Sequence, residues 1–307
     1  MAIKSKYLRL SVTDECNLHC NFCHKEGQKG KAKYLLTLED IKFVVSQCVN
    51  LGFDKFKLTG GEPLIKKDIL DIVSVMSKLN LPNFSMITNG VRLKELAHKL
   101  RQAGLPRLNV TIQTFNEDVF KKTIHEDIEN IKRTKNGIDQ ALKVGYTDLK
   151  LNFVYHSDVL KKDINDVTYF ASERNLTLVL LPVLLKGERA DDDKRSAEDV
   201  IKKLFSDKIE KEEDFLDEFG IKKRLIRLHD GAKILIRLNE LSDISPYKEC
   251  ASCGKKFECC EGIFPIRILS DGTLLPCMEE GRARVDIKDI IISRNDLEFR
   301  KIMNGII

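Results

Sequence analysis

The sequence predicts an α/β fold: a partial (β/α)6 TIM-like barrel followed by a small cysteine-rich C-terminal domain. Two observations predict it. Residues 7–184 alternate between short apolar runs and amphipathic runs of helical period, with short connections, which is the pattern of a curled parallel sheet. The nine cysteines are bunched near the two ends of the chain, leaving a long middle stretch without any.

The elements follow in order. Tyr7–Thr13 is a strand, with Cys16 just beyond its end. Thr37–Leu51 reads as a helix, with Thr37 as N-cap and Leu38, Ile41, Val45 and Cys48 on one stripe, so Cys48 is a core residue. Lys55–Thr59 is a strand that runs into Gly60-Gly61, and Asp68–Leu79 is a helix that stops before Pro82. Phe84–Thr88 is a strand ending at Asn89-Gly90, and Leu93–Ala103 a helix closed by Gly104. Arg107–Gln113, Asp148–Tyr155 and Thr177–Leu184 are strands, separated by helices over Ile128–Val144 and Ile164–Arg174.

Beyond the sixth strand the composition changes. Residues 188–230 form a charged linker, with Val200–Leu228 expected to be helical. Lys233–Leu238 is a strand, and Ile266–Cys277 reads as a hairpin about a Ser270-Asp271-Gly272 turn. The domains are therefore 1–187, 188–230 and 231–307.

Composition excludes several classes. With 42% hydrophobic and 32% charged residues in 307, the chain is neither disordered nor fibrous. No stretch is apolar enough to span a membrane, and the N-terminus lacks the apolar core of a signal peptide, so a cytoplasmic protein is expected. The net charge of +5 suits an anionic substrate but not a dedicated nucleic-acid binder. Cysteines in a reducing compartment point to metal sites rather than disulfides.

Cys16, Cys20 and Cys23 place three thiols within eight residues, just after the first strand. Such a loop can wrap one inorganic cluster; three ligands leave one iron of a [4Fe–4S] cluster open. A closed zinc site would need a fourth ligand, with His19 or His24 available. Thr59-Gly60-Gly61-Glu62-Pro63 follows the next strand, where two glycines admit close backbone approach and Glu62 can accept from an ammonium group.

The spacing Cys-x3-Cys-x2-Cys with Phe22 before the last cysteine, joined to Gly60-Gly61-Glu62-Pro63, resembles the radical S-adenosylmethionine (SAM) superfamily. The resemblance implies a [4Fe–4S] cluster on Cys16, Cys20 and Cys23, whose open iron is chelated by SAM. It implies reductive cleavage of SAM to a 5′-deoxyadenosyl radical that abstracts a substrate hydrogen. Gly60, Gly61 and Glu62 would then bind the methionine end of SAM.

The chain also resembles one branch, the GTP 3′,8-cyclases of molybdenum-cofactor biosynthesis (MoaA-like). The likeness lies in Tyr7–Cys23, Ile87-Thr88-Asn89-Gly90, Leu108–Ile112, Lys150-Leu151-Asn152 and Ile268–Gly272. By that resemblance Thr88, Asn89, Lys150 and Asn152 line the SAM pocket.

Cys250, Cys253, Cys260 and Cys277 resemble ligands of a second [4Fe–4S] cluster in the twitch and SPASM domains of related enzymes, with Cys259 as a further candidate. Two departures set the substrate apart. Pro265 stands where the cyclases carry a second arginine beside Arg267, and the chain ends Asn304-Gly305-Ile306-Ile307 in place of a Gly-Gly tail. The expected substrate is a small molecule such as a nucleotide or sugar. The alternatives are GTP itself, a peptide as in peptide-modifying maturases, or a zinc-binding structural module. A flavodoxin or ferredoxin-type electron donor is implied.

Overall fold

Alternation between apolar and polar side chains along each strand decides how this chain layers. The computed structural model describes residues 6–81, 83–156, 158–159, 161–183, 196–218, 221–238, 265–278 and 284–306. Strands β1 (Tyr7–Ser11), β2 (Lys55–Thr59), β3 (Asn83–Thr88), β4 (Leu108–Thr111), β5 (Leu149–Tyr155) and β6 (Thr177–Pro182) lie parallel in chain order. Between them run α1 (Leu38–Asn50), α2 (Ile69–Lys78), α3 (Leu93–Gln102), α4 (Glu117–Ile124), α5 (Glu129–Lys143) and α6 (Lys161–Ser172). Thr37 caps α1 as expected, in a capping box with Asp40. The helix α4 adds to the expected pattern. Asn116 starts it by accepting from the Asp118 and Val119 amides.

Leu8, Leu10, Phe56, Leu58, Met86, Val110, Leu151 and Phe153 point to the helices and are fully buried. The alternate positions, Arg9, Lys57, Asn109, Lys150 and Asn152, share the other face, register-paired Arg9↔Lys57 and Asn109↔Lys150. That face is the inside of a curled half-barrel. Lys55 on β2 forms an ion pair with Glu218, which lies beyond β6 in the strand order, and a flat sheet would hold them far apart.

Two strands assigned from sequence to a separate C-terminal domain join this same sheet. β9 (Lys233–Arg237) lies parallel beside β6, and β10 (Pro265–Ile268) lies parallel beside β1. β10 turns through Leu269–Gly272 into β11 (Thr273–Leu275), as the Ser-Asp-Gly signal predicts, and β12 (Val285–Asp286) follows. The short helices α8 (Lys288–Ile292) and α9 (Asp296–Ile306) pack back on α1, with Phe43 and Phe299 edge to face at 5.7 Å. The connection 239–264, which carries Cys250, Cys253, Cys259 and Cys260, lies outside the described residues.

The expected long helix over Val200–Leu228 is a correction. α7 (Ala197–Phe205) ends early, and the chain continues as an antiparallel hairpin of β7 (Ile209–Leu216) and β8 (Lys222–Leu228), with β8 antiparallel to β9. The reason lies in the spacing. Ile226 and Leu228 are buried with period two, and opposite charges meet across the strands, Asp214 facing Arg224 at 2.6 Å. Among the described residues no helix is long and apolar enough to cross a membrane.

Candidate functional site

The loops at the C-terminal ends of β1, β2, β3 and β4 meet at one mouth of the half-barrel. The first holds the cysteines. His19 and Asn21 donate backbone hydrogen bonds to the Ile124 and Thr123 carbonyls of α4, so the unpredicted helix seats this loop. Cys16 and Cys23 are exposed and Cys20 is partly so. The Leu18 amide donates to Cys16 Sγ at 3.4 Å and the Lys25 amide to Cys23 Sγ at 3.3 Å. Burial nevertheless pushes the Cys16 thiol up to about 11, and raises Cys20 and Cys23 as well. A metal that takes the place of the protons removes this difficulty, since the thiolate is the ligand.

The two histidines that could complete a zinc site are engaged elsewhere. His19 Nδ1 sits 2.5 Å from Glu126 Oε1, and His24 Nδ1 accepts from the Glu26 amide at 3.0 Å. Among the described residues no trio of His, Cys, Asp or Glu converges tightly enough for a single ion.

Gly60, Gly61 and Glu62 lie against the base of this loop. The Gly61 amide donates to Thr13 O and the Glu62 amide to Glu15 O, both at 2.8 Å. A Cβ on Gly61 would stand 1.9 Å from Glu15 O, and one on Gly60 2.3 Å from Thr13 O. These glycines let the second loop's backbone touch the first. The Glu62 side chain, 1% exposed, accepts from the Leu64 amide at 2.9 Å, the Thr88 hydroxyl at 2.6 Å and the Asn89 amide at 2.7 Å. Burial outweighs these bonds and raises its pKa to about 6.

Thr88 is consumed by this network, since its hydroxyl also accepts from the Gly90 amide at 3.0 Å. Asn89 reaches the cysteine loop, donating to Asn17 Oδ1 at 2.8 Å, with its amide 4.0 Å from Cys16 Sγ. Asn152 is buried deeper in the half-barrel, with Asn109 donating to it at 3.4 Å. Lys150 sits on the same face, close enough to Lys57 to act on its charge. The structure thus gathers Glu62, Thr88 and Asn89 about the cysteines and sets Lys150 and Asn152 on the wall inside.

Two features escaped the sequence reading. Gln113, just past β4, is 5% exposed, and both of its amide atoms are buried without a partner among the described residues. It lines a small cavity with Leu18, Cys20, Phe22, Asn89 and Thr114. An unmet buried amide is unfavourable by about 1–3 kcal/mol per group, so this one is open to a polar partner entering the cavity. A polar residue at a strand end was the available signal. The second feature is a charged floor. Buried Glu26 lies between Arg9 and Arg267, and accepts from the Thr59 hydroxyl at 3.0 Å. Lys57 has no carboxylate partner among the described residues, and burial together with Arg9 and Lys55 pushes its pKa well down.

Cys277 follows β11, and Leu275 and Met278 on either side of it pack on Gly27, four residues past Cys23. Of the residues predicted to hold a second cluster it alone falls in the described part of the chain; Cys250, Cys253 and Cys260 lie outside it.

The residues present fit a [4Fe–4S] cluster with SAM. Three thiols on one loop carry amide donors to two of the sulfurs. Beside them the unmet Gln113 amide and the Asn89 side chain line a small, largely apolar cavity.

Comparison with known proteins agrees. The sequence profile of the Radical SAM superfamily matches residues 10–170. The chain is 31% identical over 292 residues to a "Probable GTP 3',8-cyclase" of Saccharolobus solfataricus, covering 92% of this chain and 86% of that protein. It is 30% identical over 298 residues to one from Methanocaldococcus jannaschii, covering 95% and 91%.

Among solved structures it resembles Streptococcus suis SuiB bound to S-adenosylmethionine, with a TM-score of 0.64, 15% identity and 93% of this chain covered. It spans 64% of SuiB, somewhat under two thirds. It also resembles anSMEcpe with bound AdoMet, with a TM-score of 0.61, 18% identity, and coverage of 94% of this chain and 79% of that one. At such identities the likeness is one of fold. With the profile across half the chain and the cyclases across nearly all of it, this chain belongs to the radical SAM superfamily, whose members cleave S-adenosylmethionine with a [4Fe–4S] cluster, and is a homologue of the GTP 3′,8-cyclases.

Proposed function

We propose that this chain reductively cleaves SAM to a 5′-deoxyadenosyl radical, and that the radical abstracts hydrogen from a small anionic substrate such as a nucleotide. The observation that carries the substrate class is the floor of the half-barrel. Arg9, Lys57 and Lys150 line the concave face, with Arg267 beside Arg9 in register, and Glu26 is the carboxylate paired with the arginines. A cationic surface enclosed by low-dielectric walls attracts phosphate or carboxylate groups.

In this reading Cys16, Cys20 and Cys23 hold the cluster and Asn89 and Gln113 face the SAM cavity. Gly60, Gly61, Glu62 and Thr88 keep the cysteine loop in place. The bound cluster and SAM supply the radical; the protein binds, orients and excludes water. GTP is the first compound to test, since relatives over 30% identical carry that activity in their names. Cys250, Cys253, Cys260 and Cys277 remain the proposed ligands of a second [4Fe–4S] cluster. Lys25, Lys29, Lys31 and Lys33, all exposed on the loop after Cys23, suit an acidic flavodoxin or ferredoxin as electron donor.

The test is anaerobic reconstitution with iron and sulfide, then dithionite and SAM. 5′-Deoxyadenosine should form, increase when GTP or another nucleotide is added, and vanish in Cys16→Ala, Cys20→Ala and Cys23→Ala. Undiminished product from any of these variants overturns the assignment.

A further inference from the structure

Directly after Cys23 the backbone does something non-glycine residues rarely do. Lys25 and Glu26 are both left-handed, at φ +49° and +52°, and Gly27 follows at +84°. Consecutive non-glycine residues in that region persist only where the surroundings over-determine them. Here the surroundings are the C-terminal hairpin and the arginine pair.

The Glu26 carboxylate accepts from Arg9 on β1 and from Thr59 on β2 at 3.0 Å, and lies 3.4 Å from Arg267 Nε on β10. It is 5% exposed and Arg267 only 1%. Arg9, partly buried, and Arg267, fully buried, are register partners on adjacent strands, so two like charges meet there and the carboxylate between them offsets their repulsion. The next residues key into the hairpin: Gln28 donates to Asp271 at 2.8 Å and the Leu36 amide to Ser270 O at 2.8 Å. A Cβ on Gly27 would lie 2.6 Å from Leu275. One short segment therefore touches the last cysteine at one end and β10–β11 along the rest.

We propose that Glu26 is a positioning residue that couples loading of the cysteine loop to the order of the β10–β11 hairpin and to the placement of Arg9 and Arg267. The proposal rests on the reading that this loop holds a cluster. Coupling of this kind is reciprocal: what fixes the loop fixes the hairpin, and a fixed hairpin favours loading.

Hydrogen–deuterium exchange over residues 265–275 tests it, comparing iron-free and reconstituted full-length protein. In the wild type, loading should slow exchange there about tenfold, within the range of ordinary site coupling. In Glu26→Gln that slowing should disappear. Because Glu26→Gln removes a negative charge from between two arginines, the double variant Glu26→Gln/Arg9→Gln, which restores the net charge of the trio, is measured beside it. It should fold and load iron, again without slowing exchange in the hairpin, whereas Glu26→Asp should recover part of the effect. A double variant that keeps the tenfold slowing, or a fully loaded wild type with an indifferent hairpin, overturns the coupling alone. A wild type that takes up no iron overturns the cluster reading and the coupling together.

Discussion

Glu62, at the end of β2, accepts a 2.6 Å hydrogen bond from the hydroxyl of Thr88, at the end of β3. Its own amide donates to Glu15 in the cysteine loop. One residue thus ties three consecutive strand ends, and the cysteine loop is held by backbone and carboxylate together. This is preorganisation in a concrete form: the loop is fixed before any cofactor arrives.

The network has a pH signature. Burial raises the Glu62 pKa from 4.5 to about 6, so the folded protein holds that proton more tightly than the unfolded chain does. Stability of the iron-free protein should therefore fall as pH rises from about 4.5 through 6, by about 2 kcal/mol, and level off above. Urea unfolding at pH 4.5 and 7 checks the sign. Glu62→Gln should flatten this segment of the profile; an unchanged slope in that variant would assign the dependence to another group.

Gly61→Ala should lose the cysteine loop. The added carbon would fall 1.9 Å from a backbone oxygen that cannot retreat without breaking the Gly61–Thr13 and Glu62–Glu15 bonds. Iron uptake should drop to that of the cysteine variants. Gly305→Ala is the control: nothing lies within 4 Å, and in helix α9 the change should stabilise by about 0.5–1 kcal/mol. Normal iron content in Gly61→Ala would show that the loop can yield.

Much of this was legible in the sequence, and what was not has physical causes. The six strands and the Thr37 cap follow from period and capping chemistry, which are local. Val200–Leu228 misled because charged residues suit a solvated helix and an exposed hairpin equally; only the alternation at Ile226 and Leu228 tells them apart. The cysteines and glycines declared themselves by spacing. Gln113 and Glu26 did not, because a lone amide and a lone carboxylate acquire meaning only when folding strips their water and sets Arg9 and Arg267 around one of them. Joining β9 and β10 to the barrel sheet depends on contacts between distant residues, Thr177 with Lys233 and Tyr7 with Pro265, which no local pattern carries.

Gln113→Leu should move stability and binding in opposite directions. Removing an amide with no partner relieves the iron-free protein by about 1–3 kcal/mol, less whatever the altered shape takes back. SAM binding by the reconstituted protein should weaken about tenfold or more, as expected when a polar contact to a ligand is lost. Thermal unfolding and equilibrium dialysis read the two effects separately. Weaker SAM binding without any gain in the iron-free melting temperature would mean that Gln113 finds a partner even when the cavity holds no SAM.

The exposed lysines after Cys23 make the last prediction. Lys29 and Lys33 have no carboxylate partner among the described residues, and Lys31 comes only within 4.0 Å of the exposed Glu15. Exposed cations on this loop should steer an acidic electron carrier to the cluster, an effect that falls steeply with ionic strength. With reduced flavodoxin as donor, raising salt from about 0.01 to 0.15 M should slow 5′-deoxyadenosine formation about tenfold. The variant Lys29→Glu/Lys31→Glu/Lys33→Glu should be slow at low salt too. With dithionite as donor, variant and wild type should agree within about twofold, because a small reductant needs no docking surface. Equal losses with both donors would mean that the substitutions disturb the cysteine loop itself, and equal activity with flavodoxin would place the carrier on another face.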